Sequence, residues 1–458
     1  MTLSIVILAA GKGKRMSSSI PKVMHQLGGV TLLERVVCTA QSLHPKKIHV
    51  VYGNGGSTLP EALPQLKVNW IFQKEQLGTG HAVMQALPAC DDHDRVLVLY
   101  GDVPVITVPT LRELLKETPK EGVGLLVTEL ENPTGFGRII RDHDDNIVAI
   151  VEEKDATRKQ RAIKEINTGI VTAPAKFLKS CLPRVSNKNA QKEYYLTDMI
   201  ALAVEEGVSL RSVTATNSNE VRGVNDPWQL TTLERYYQSE YARQLAYSGV
   251  TIMDHTRLDI RGDVSISSGV KLDVNVILEG KVVIGSQTEI GPNVYIKNST
   301  VGQRVKILAN SVIEGAVIED DCEVGPFARL RTETILKSKS KVGNFVEIKK
   351  TTLGENSKAN HLSYLGDAKI GKKVNIGAGT ITCNYDGVKK SKTEIDDGAF
   401  IGSNASLIAP IHIGENATIA AGSAVSKKAP AEKLTIARAK QTVVENWKRS
   451  KPKLITDN

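Results

Sequence analysis

The sequence predicts two folds in tandem: an α/β domain on a mostly parallel sheet, then a parallel β-helix of hexapeptide repeats, with one long helix between them. Three patterns carry this. Residues 1–226 alternate aliphatic runs with amphipathic stretches, residues 227–249 read as one helix, and from about residue 250 an aliphatic residue recurs every six positions. A length of 458 residues holds two or three domains, each with its own core.

In the first half, Ser4 to Ala10, Ile48 to Tyr52, Val96 to Tyr100 and Gly124 to Thr128 are continuous aliphatic runs, as strands covered on both faces by helices require. Leu32 to Ser42 and Thr110 to Lys116 supply helices between them. Such a sheet gathers its ligands at the carboxyl ends of its strands. The domain is expected to end at residue 226, where Asp226 suits an N-cap and Pro227 the first helical position. Leu230, Leu233, Tyr237, Tyr241 and Leu245 then keep helical spacing up to Gly249.

Residues 250–437 hold the repeat. It steps from Ile260 through Leu272, Ile284 and Ile296 and, with slips to five, reaches Val425. Hairpins do not keep a six-residue step over such a length, whereas a β-helix turns one wall per repeat and points the aliphatic residue inward. The irregular stretch Thr380 to Thr393 is expected to be one coil plus one residue, with Thr382 and Val388 in inner slots, and to supply a loop. Residues 438–458 read as a basic solvated tail.

The net charge is +9, from 59 Lys and Arg against 50 Asp and Glu, with 27 against 25 in residues 1–226. The basic residues are scattered, without aromatic interleaving or a continuous basic helix, which excludes nucleic acid as a partner and favours small phosphorylated substrates. No apolar run approaches the ~20 residues of a membrane span, and the charges near Leu3 to Ala10 follow it rather than precede it, so no membrane partner is expected. Cys38, Cys90, Cys181, Cys322 and Cys383 form no C-x-x-C pair and read as reduced thiols of a cytoplasmic protein. A metal would then be held by oxygen ligands.

After the first strand comes Leu8-Ala9-Ala10-Gly11-Lys12-Gly13-Lys14-Arg15-Met16, followed by Pro21-Lys22. Glycines let the backbone approach a phosphate and three basic side chains oppose several negative charges, which favours a triphosphate; a dinucleotide loop needs a third Gly where Met16 stands. The strand Val96 to Tyr100 runs into Gly101-Asp102, an acid placed to hold Mg²⁺ against substrate phosphates, although a turn Asp is the default without the Gly11 loop.

These motifs, with Gln76-Leu-Gly-Thr-Gly-His81, Gly137-Arg138, Glu165-Ile-Asn-Thr-Gly169 and Gly223-Val-Asn225, resemble the sugar-1-phosphate nucleotidyltransferases. Joined to Gly343-Asn-Phe-Val-Glu347, His361-Leu-Ser-Tyr-Leu-Gly-Asp367 and Asn375 to Asp386, they resemble the bacterial family that pairs N-acetylglucosamine-1-phosphate uridyltransferase with glucosamine-1-phosphate acetyltransferase activity. The resemblance implies a Rossmann-like nucleotidyltransferase domain, a left-handed β-helix, a homotrimer, and a place in the synthesis of cell-wall and lipopolysaccharide precursors. It implies UMP transfer from UTP to N-acetylglucosamine 1-phosphate with release of pyrophosphate. The nucleotide would meet Leu8, Ala9, Ala10, Gly11, Lys22, Gln73, Gly78, Thr79, Tyr100 and Gly101, the sugar Gly137, Glu152 and Asn167, and Mg²⁺ would lie between Asp102 and Asn225. The attacking sugar phosphate is already an anion, so this chemistry needs positioning and charge neutralisation rather than a general base.

Acetyl transfer from acetyl-CoA differs, because the attacking amine is largely protonated at neutral pH and a His is its natural base. Of nine His, only His361 lies in the motif stretch of the second half, two residues after the inner slot Ala359; spacing alone leaves it a solvent-exposed structural role. By resemblance Arg331, Lys349, Tyr364 and Asn375 would hold the phosphorylated amino sugar, and Ala378, Asn384, Tyr385, Ser403, Ala421 and Arg438 the acetyl-CoA, partly from an adjacent subunit. Thr332-Glu333 replaces the family's usual Pro-Gly, and the added carboxylate is expected to weaken the grip of Arg331. A monofunctional nucleotidyltransferase with a structural β-helix is the alternative, and it leaves the cluster from His361 to Asp386 without a purpose.

Overall fold

The computed structural model describes residues 2–450 apart from Lys12 and residues 54–58. The chain divides into two compact units, Met1–Arg243 with Ile260–Gly262 and Gln244–Asp259 with Asp263–Asn458.

The first unit is built on one nine-stranded sheet. Strands β1 (Thr2–Leu8), β2 (Lys47–Gly53), β3 (Asn69–Gln73) and β4 (Asp94–Tyr100) run parallel in the order β3-β2-β1-β4. Beyond β5 (Val123–Glu129) and the hairpin β6 (Gly137–Arg141) and β7 (Ile147–Val151), strand β8 (Glu165–Pro174) inserts antiparallel between β4 and β5, and β9 (Leu210–Thr214) pairs parallel with β5. The sheet is therefore mostly parallel, as the aliphatic runs imply. Ile5, Val6 and Ile7 of β1 are fully buried on alternating faces, because helices cover both. Helix α1 (Leu32–Gln41) starts on a capping box in which the Thr31 hydroxyl accepts from the Glu34 amide and the Glu34 carboxylate accepts from the Thr31 amide, each at 3.2 Å. Its Leu33, Val36, Val37 and Ala40 pack in the same cluster as Ile5 and Ile7. Helix α2 (Thr79–Ala86) follows β3 and helix α3 (Val108–Glu117) follows β4. Helix α4 (Pro227–Tyr247) begins where Asp226 Oδ1 accepts from the Gln229 amide at 2.8 Å.

The second unit is a parallel β-helix with three walls of 11, 10 and 9 strands among the described residues, which pair only between successive coils. Leu272, Leu278 and Ile284 occupy consecutive inner slots, as do Ile348, Leu353 and Ala359, and all six are fully buried. Each full burial of a large aliphatic chain is worth about 1.5–3 kcal/mol, so the repeat makes its own core. Most coils advance 17 or 18 residues, as from Ala359 to Ile376 and from Ile401 to Ile419. One coil differs: Ile376 pairs with Ile401 and Thr382 with Leu407, an advance of 25. Thr382 does fill a slot, its hydroxyl accepting from the Gly366 amide at 2.7 Å and donating to the Gly366 carbonyl at 3.1 Å. The expectation for Val388 is corrected: it is 91% exposed and lies on an excursion, so this stretch holds one slot fewer than its length allows. The excursion closes on itself, with an antiparallel bridge between Tyr385 and Lys390 and the Asp386 carboxylate accepting from the amides of Val388 and Lys389 at 2.9 and 2.8 Å. Hydrophobic type alone put Val388 inside; a turn that satisfies its own amides put it outside.

One corner of the β-helix has a further irregularity. Equivalent residues with positive φ there are Asn275, Asn293 and Asn310, then Phe327, Phe345 and Leu362, then Gly379 and Asn404. Asn and Gly adopt this backbone readily, whereas Phe and Leu do so at a cost of roughly 1–2 kcal/mol each. Phe327, Phe345 and Leu362 are also 49%, 56% and 62% exposed, and the two Phe rings stack at 5.3 Å.

Candidate functional site

In the first unit a cleft of about 410 Å³ opens at the carboxyl ends of β1, β3 and β4. Leu8, Ala9, Ala10 and Gly11 line one side, Gln73, Gly78 and Thr79 another, and Lys22, Tyr100 and Asp102 also face it, together with Gln76 and Glu193. Gly101 lies behind it, its amide donating to the Leu8 carbonyl at 2.9 Å; a Cβ there would press on Val23 at 3.2 Å. The Gly78 turn is held by a strap: the Gly80 amide donates to the Tyr194 carbonyl at 2.8 Å and the Leu196 amide to the Thr79 hydroxyl at 3.0 Å. Gly78 has φ +113°, and a Cβ would approach the Tyr194 carbonyl oxygen to 2.6 Å, so only glycine fits.

Lys22 ion-pairs with Asp102, and its Nζ lies 3.3 Å from Asn225 Oδ1. Both groups are nearly buried, at 12% and 16% side-chain exposure. Asn225 reaches this point because the Val224 amide donates to the Asp102 carbonyl at 2.9 Å and the Asn225 amide to Gln229 on α4 at 2.8 Å. A carboxylate and an amide oxygen thus converge on one cationic position, a donor set that fits Mg²⁺ sharing its shell with phosphates. Of the three basic loop residues, Lys12 and the side chain of Lys14 lie outside the described residues; Arg15 lines an adjoining cavity with Gly223 and Asn225.

Tyr100 connects the cleft to a smaller recess lined by Asn167, Gly169 and Thr197. Gly137 pairs with Asn167 across β6 and β8, and Glu152 accepts from the Thr197 hydroxyl at 3.1 Å. A Cβ on Gly137 would come 3.5 Å from the Glu152 carboxyl, so the three sugar candidates share one place. Burial raises the pKa of Glu152, with Asp198 and Asp155 adding to the shift and the Thr197 bond opposing it. Burial also pushes the Tyr100 phenol upward, so it stays a neutral donor.

In the β-helix, Arg331, Lys349 and Tyr364 project from the same face of the ten-stranded wall in successive coils. Lys390 reaches them from the excursion. Its charge, followed by that of Arg331, lowers the pKa of Lys349, so three cations crowd one position. Arg331 is partnered by Glu347 at 2.8 Å, while Glu333 pairs with Lys350 at 3.0 Å. The carboxylate expected to loosen Arg331 is thus engaged elsewhere. Asn384 donates to Asp367 at 2.5 Å, and Tyr385 stands beside it, 59% exposed.

His361 is exposed at the adjoining corner, with Nδ1 2.7 Å from Asn344 Oδ1. An amide oxygen can only accept, so Nδ1 carries the hydrogen, and in the neutral ring the lone pair is then on Nε2. Register places Ala378, Ser403 and Ala421 at the equivalent corner position of the following coils, and Arg438 donates to the Ala421 carbonyl at 2.9 Å. These residues form one continuous line. Asn375 does not join Arg331, Lys349 and Tyr364: it stands on the outer row of the eleven-stranded wall, around the corner within a single chain.

Three residues were missed by sequence reasoning. Gln76 lines the first cleft, donates to the Ala10 carbonyl at 2.6 Å and leaves its own buried oxygen unpartnered; Asn344 orients His361; Lys390 completes the cation cluster. Gln76 and Asn344 stood in recognised motifs without a role. Lys390 had no signal, because the misread register of its coil hid where the excursion points.

Residues 5–196 match the MobA-like NTP transferase domain, residues 260–352 the GMPPB C-terminal domain, and residues 392–427 the bacterial transferase hexapeptide (six repeats). A Coxiella burnetii protein named Bifunctional protein GlmU is 59% identical over 450 residues, which cover 98% of this chain and 99% of the relative. Proteins of the same name from Methylococcus capsulatus and Pseudomonas entomophila are each 52% identical, over 98% of both chains. Matched over nearly its full length by these relatives, and carrying an NTP transferase domain and hexapeptide repeats, the chain is an enzyme that belongs to the bifunctional GlmU family.

Proposed function

We propose that this enzyme makes UDP-N-acetylglucosamine in two steps: it acetylates glucosamine 1-phosphate from acetyl-CoA, then transfers UMP from UTP to the N-acetylglucosamine 1-phosphate formed. The observation that carries the reading is the presence, in one chain matching bifunctional relatives end to end, of both a phosphate-gathering cleft and an oriented surface histidine.

In the acetyl step the amine nitrogen attacks the thioester carbonyl, His361 Nε2 takes the amine proton, the C–S bond breaks, and the proton returns to the departing sulfur so that CoA leaves as the thiol. Arg331, Lys349 and Lys390 neutralise the sugar phosphate; Tyr364 and Asn375 complete its site. Ala378, Ser403, Ala421 and Arg438 line the path of acetyl-CoA, with Asn384 and Tyr385 beside it. In the uridylyl step an oxygen of the sugar phosphate attacks the α-phosphorus of UTP and pyrophosphate departs. Leu8 to Gly11, Gln73, Gly78 and Thr79 hold the uridine, Lys22 meets phosphate, and Gly137, Glu152 and Asn167 hold the sugar. Mg²⁺, held by Asp102 and Asn225, would supply neutralisation of phosphate charge.

The working form is a homotrimer. Phe327, Phe345 and Leu362 are strained and exposed in a lone chain, and burying them against a second copy would offset that cost. The position of Asn375 around the corner from the cations supports sites shared between copies. The test is dual: thiol release with glucosamine 1-phosphate and acetyl-CoA, and pyrophosphate release with N-acetylglucosamine 1-phosphate and UTP. A protein with only the second activity would leave the monofunctional alternative standing.

A further inference from the structure

We propose that His81 is a positioning residue that sets base selectivity by fixing which end of the Gln73 amide faces the nucleotide; this rests on the reading of the cleft as the UTP site. Gln73 lines the cleft and is 2% exposed. His81, on the first turns of α2, does not line it. Gln73 Nε2 lies 2.9 Å from His81 Nδ1 and 3.4 Å from the Gly78 carbonyl. A carbonyl can only accept, so both hydrogens of this amide turn into the wall, and Oε1 turns toward the cleft. On the far side of the ring, His81 Nε2 lies 3.2 Å from Gln85 Nε2, which also donates to the His81 carbonyl at 3.5 Å. A neutral imidazole carries one N–H and can accept from only one of these two amides; Gln73 makes the shorter contact, so Nδ1 accepts, Nε2 bears the hydrogen, and the Gln85 amide turns over to present its oxygen, giving up the 3.5 Å contact. Tyr194, with its ring 6.4 Å away, packs beside the imidazole.

The consequence is chemical. An oxygen facing the base accepts from N3–H of uracil but meets a lone pair at N3 of cytosine. A site built for one polar pattern rejects the opposite one strongly, because its buried groups would be left unpaired. Gln73 makes the contact; His81 and Gln85 decide which end of the amide is offered.

The experiment measures kcat/KM for pyrophosphate release with UTP and with CTP in the parent, His81→Phe and Gln85→Leu enzymes. His81→Phe keeps a ring and removes both nitrogens, so Gln73 is free to turn over. The UTP-to-CTP ratio should fall at least about tenfold in His81→Phe. In Gln85→Leu, which releases only the far nitrogen, it should fall by a smaller factor. Thiol release from acetyl-CoA should be unchanged in both. Equal losses with the two nucleotides, leaving the ratio within twofold of the parent in each variant, would overturn the inference and make His81 structural. If His81→Phe does not fold, Gln85→Leu alone decides, by the same ratio. A parent that releases no pyrophosphate from UTP would overturn the UTP reading itself, which keeps the two failures distinct.

Discussion

The two halves build their sites in opposite ways. In the first unit each loop at the sheet's carboxyl edge is different, and together they line one cleft, with Tyr100 between it and a smaller recess. In the β-helix a single corner recurs coil after coil, and chemistry enters where the repeat breaks its own rule: a histidine held by Asn344, a 25-residue coil that delivers Lys390, large apolar residues where Asn usually sits. A unique fold makes a site by gathering loops. A repetitive one makes it by exception, and the exceptions stand exposed along one corner of the coils.

Substitutions that affect one half alone sharpen this contrast. The largest effect is expected at His361, because a lost general base lowers rate by about 10²- to 10⁴-fold. His361→Ala should lower thiol release by that factor with pyrophosphate release and assembly unchanged; acetylation within threefold of the parent would move the base elsewhere. Next comes Asp102→Ala, expected to lower pyrophosphate release by about 10²- to 10³-fold while acetylation persists. Chelating Mg²⁺ should reproduce that split, and equal loss of both activities in a folded variant would break the separation of the two sites. Lys390→Ala should raise KM for glucosamine 1-phosphate by about tenfold or more, since hydrogen bonds to charged groups contribute about 1.5–3 kcal/mol. That effect should shrink at high salt, and an unchanged KM would exclude the excursion from the sugar-phosphate site.

The smallest effect concerns stability. The pKa of Glu152 is raised in the folded chain, so the folded state binds a proton that the unfolded state releases. Its contribution is most favourable below the unfolded-state pKa and is lost as pH rises through the folded-state value. Glu152→Gln should therefore raise the thermal midpoint slightly at neutral pH, with the gain vanishing in acid, while uridylyl transfer falls through weaker sugar binding. A midpoint shift independent of pH would mean that the Glu152 pKa is the same in the folded and unfolded chains.

Much of this was legible without coordinates. Continuous aliphatic runs fit strands buried on both faces, Asp226-Pro227 suits the start of a helix, and a sustained six-residue step fits the coils of a β-helix, so periodicity pointed to both folds and to the inner slots up to Thr382. The family resemblance also pointed to most of the residues that line the first cleft, though not to Gln76, and the Gly11 loop and the acid after the Val96 to Tyr100 run lie at strand ends. What only the tertiary structure decided are relations between residues far apart in sequence. Periodicity assigned Val388 to the core, but pairing with the following coil skips it, because backbone register is fixed by the neighbouring rungs and not by one side chain's hydrophobicity. The Lys22 pair with Asp102 and Asn225, the Lys390 charge on Lys349, and the two amides facing His81 depend in the same way on which atoms the fold brings within about 3 Å, a separation that sequence spacing does not encode.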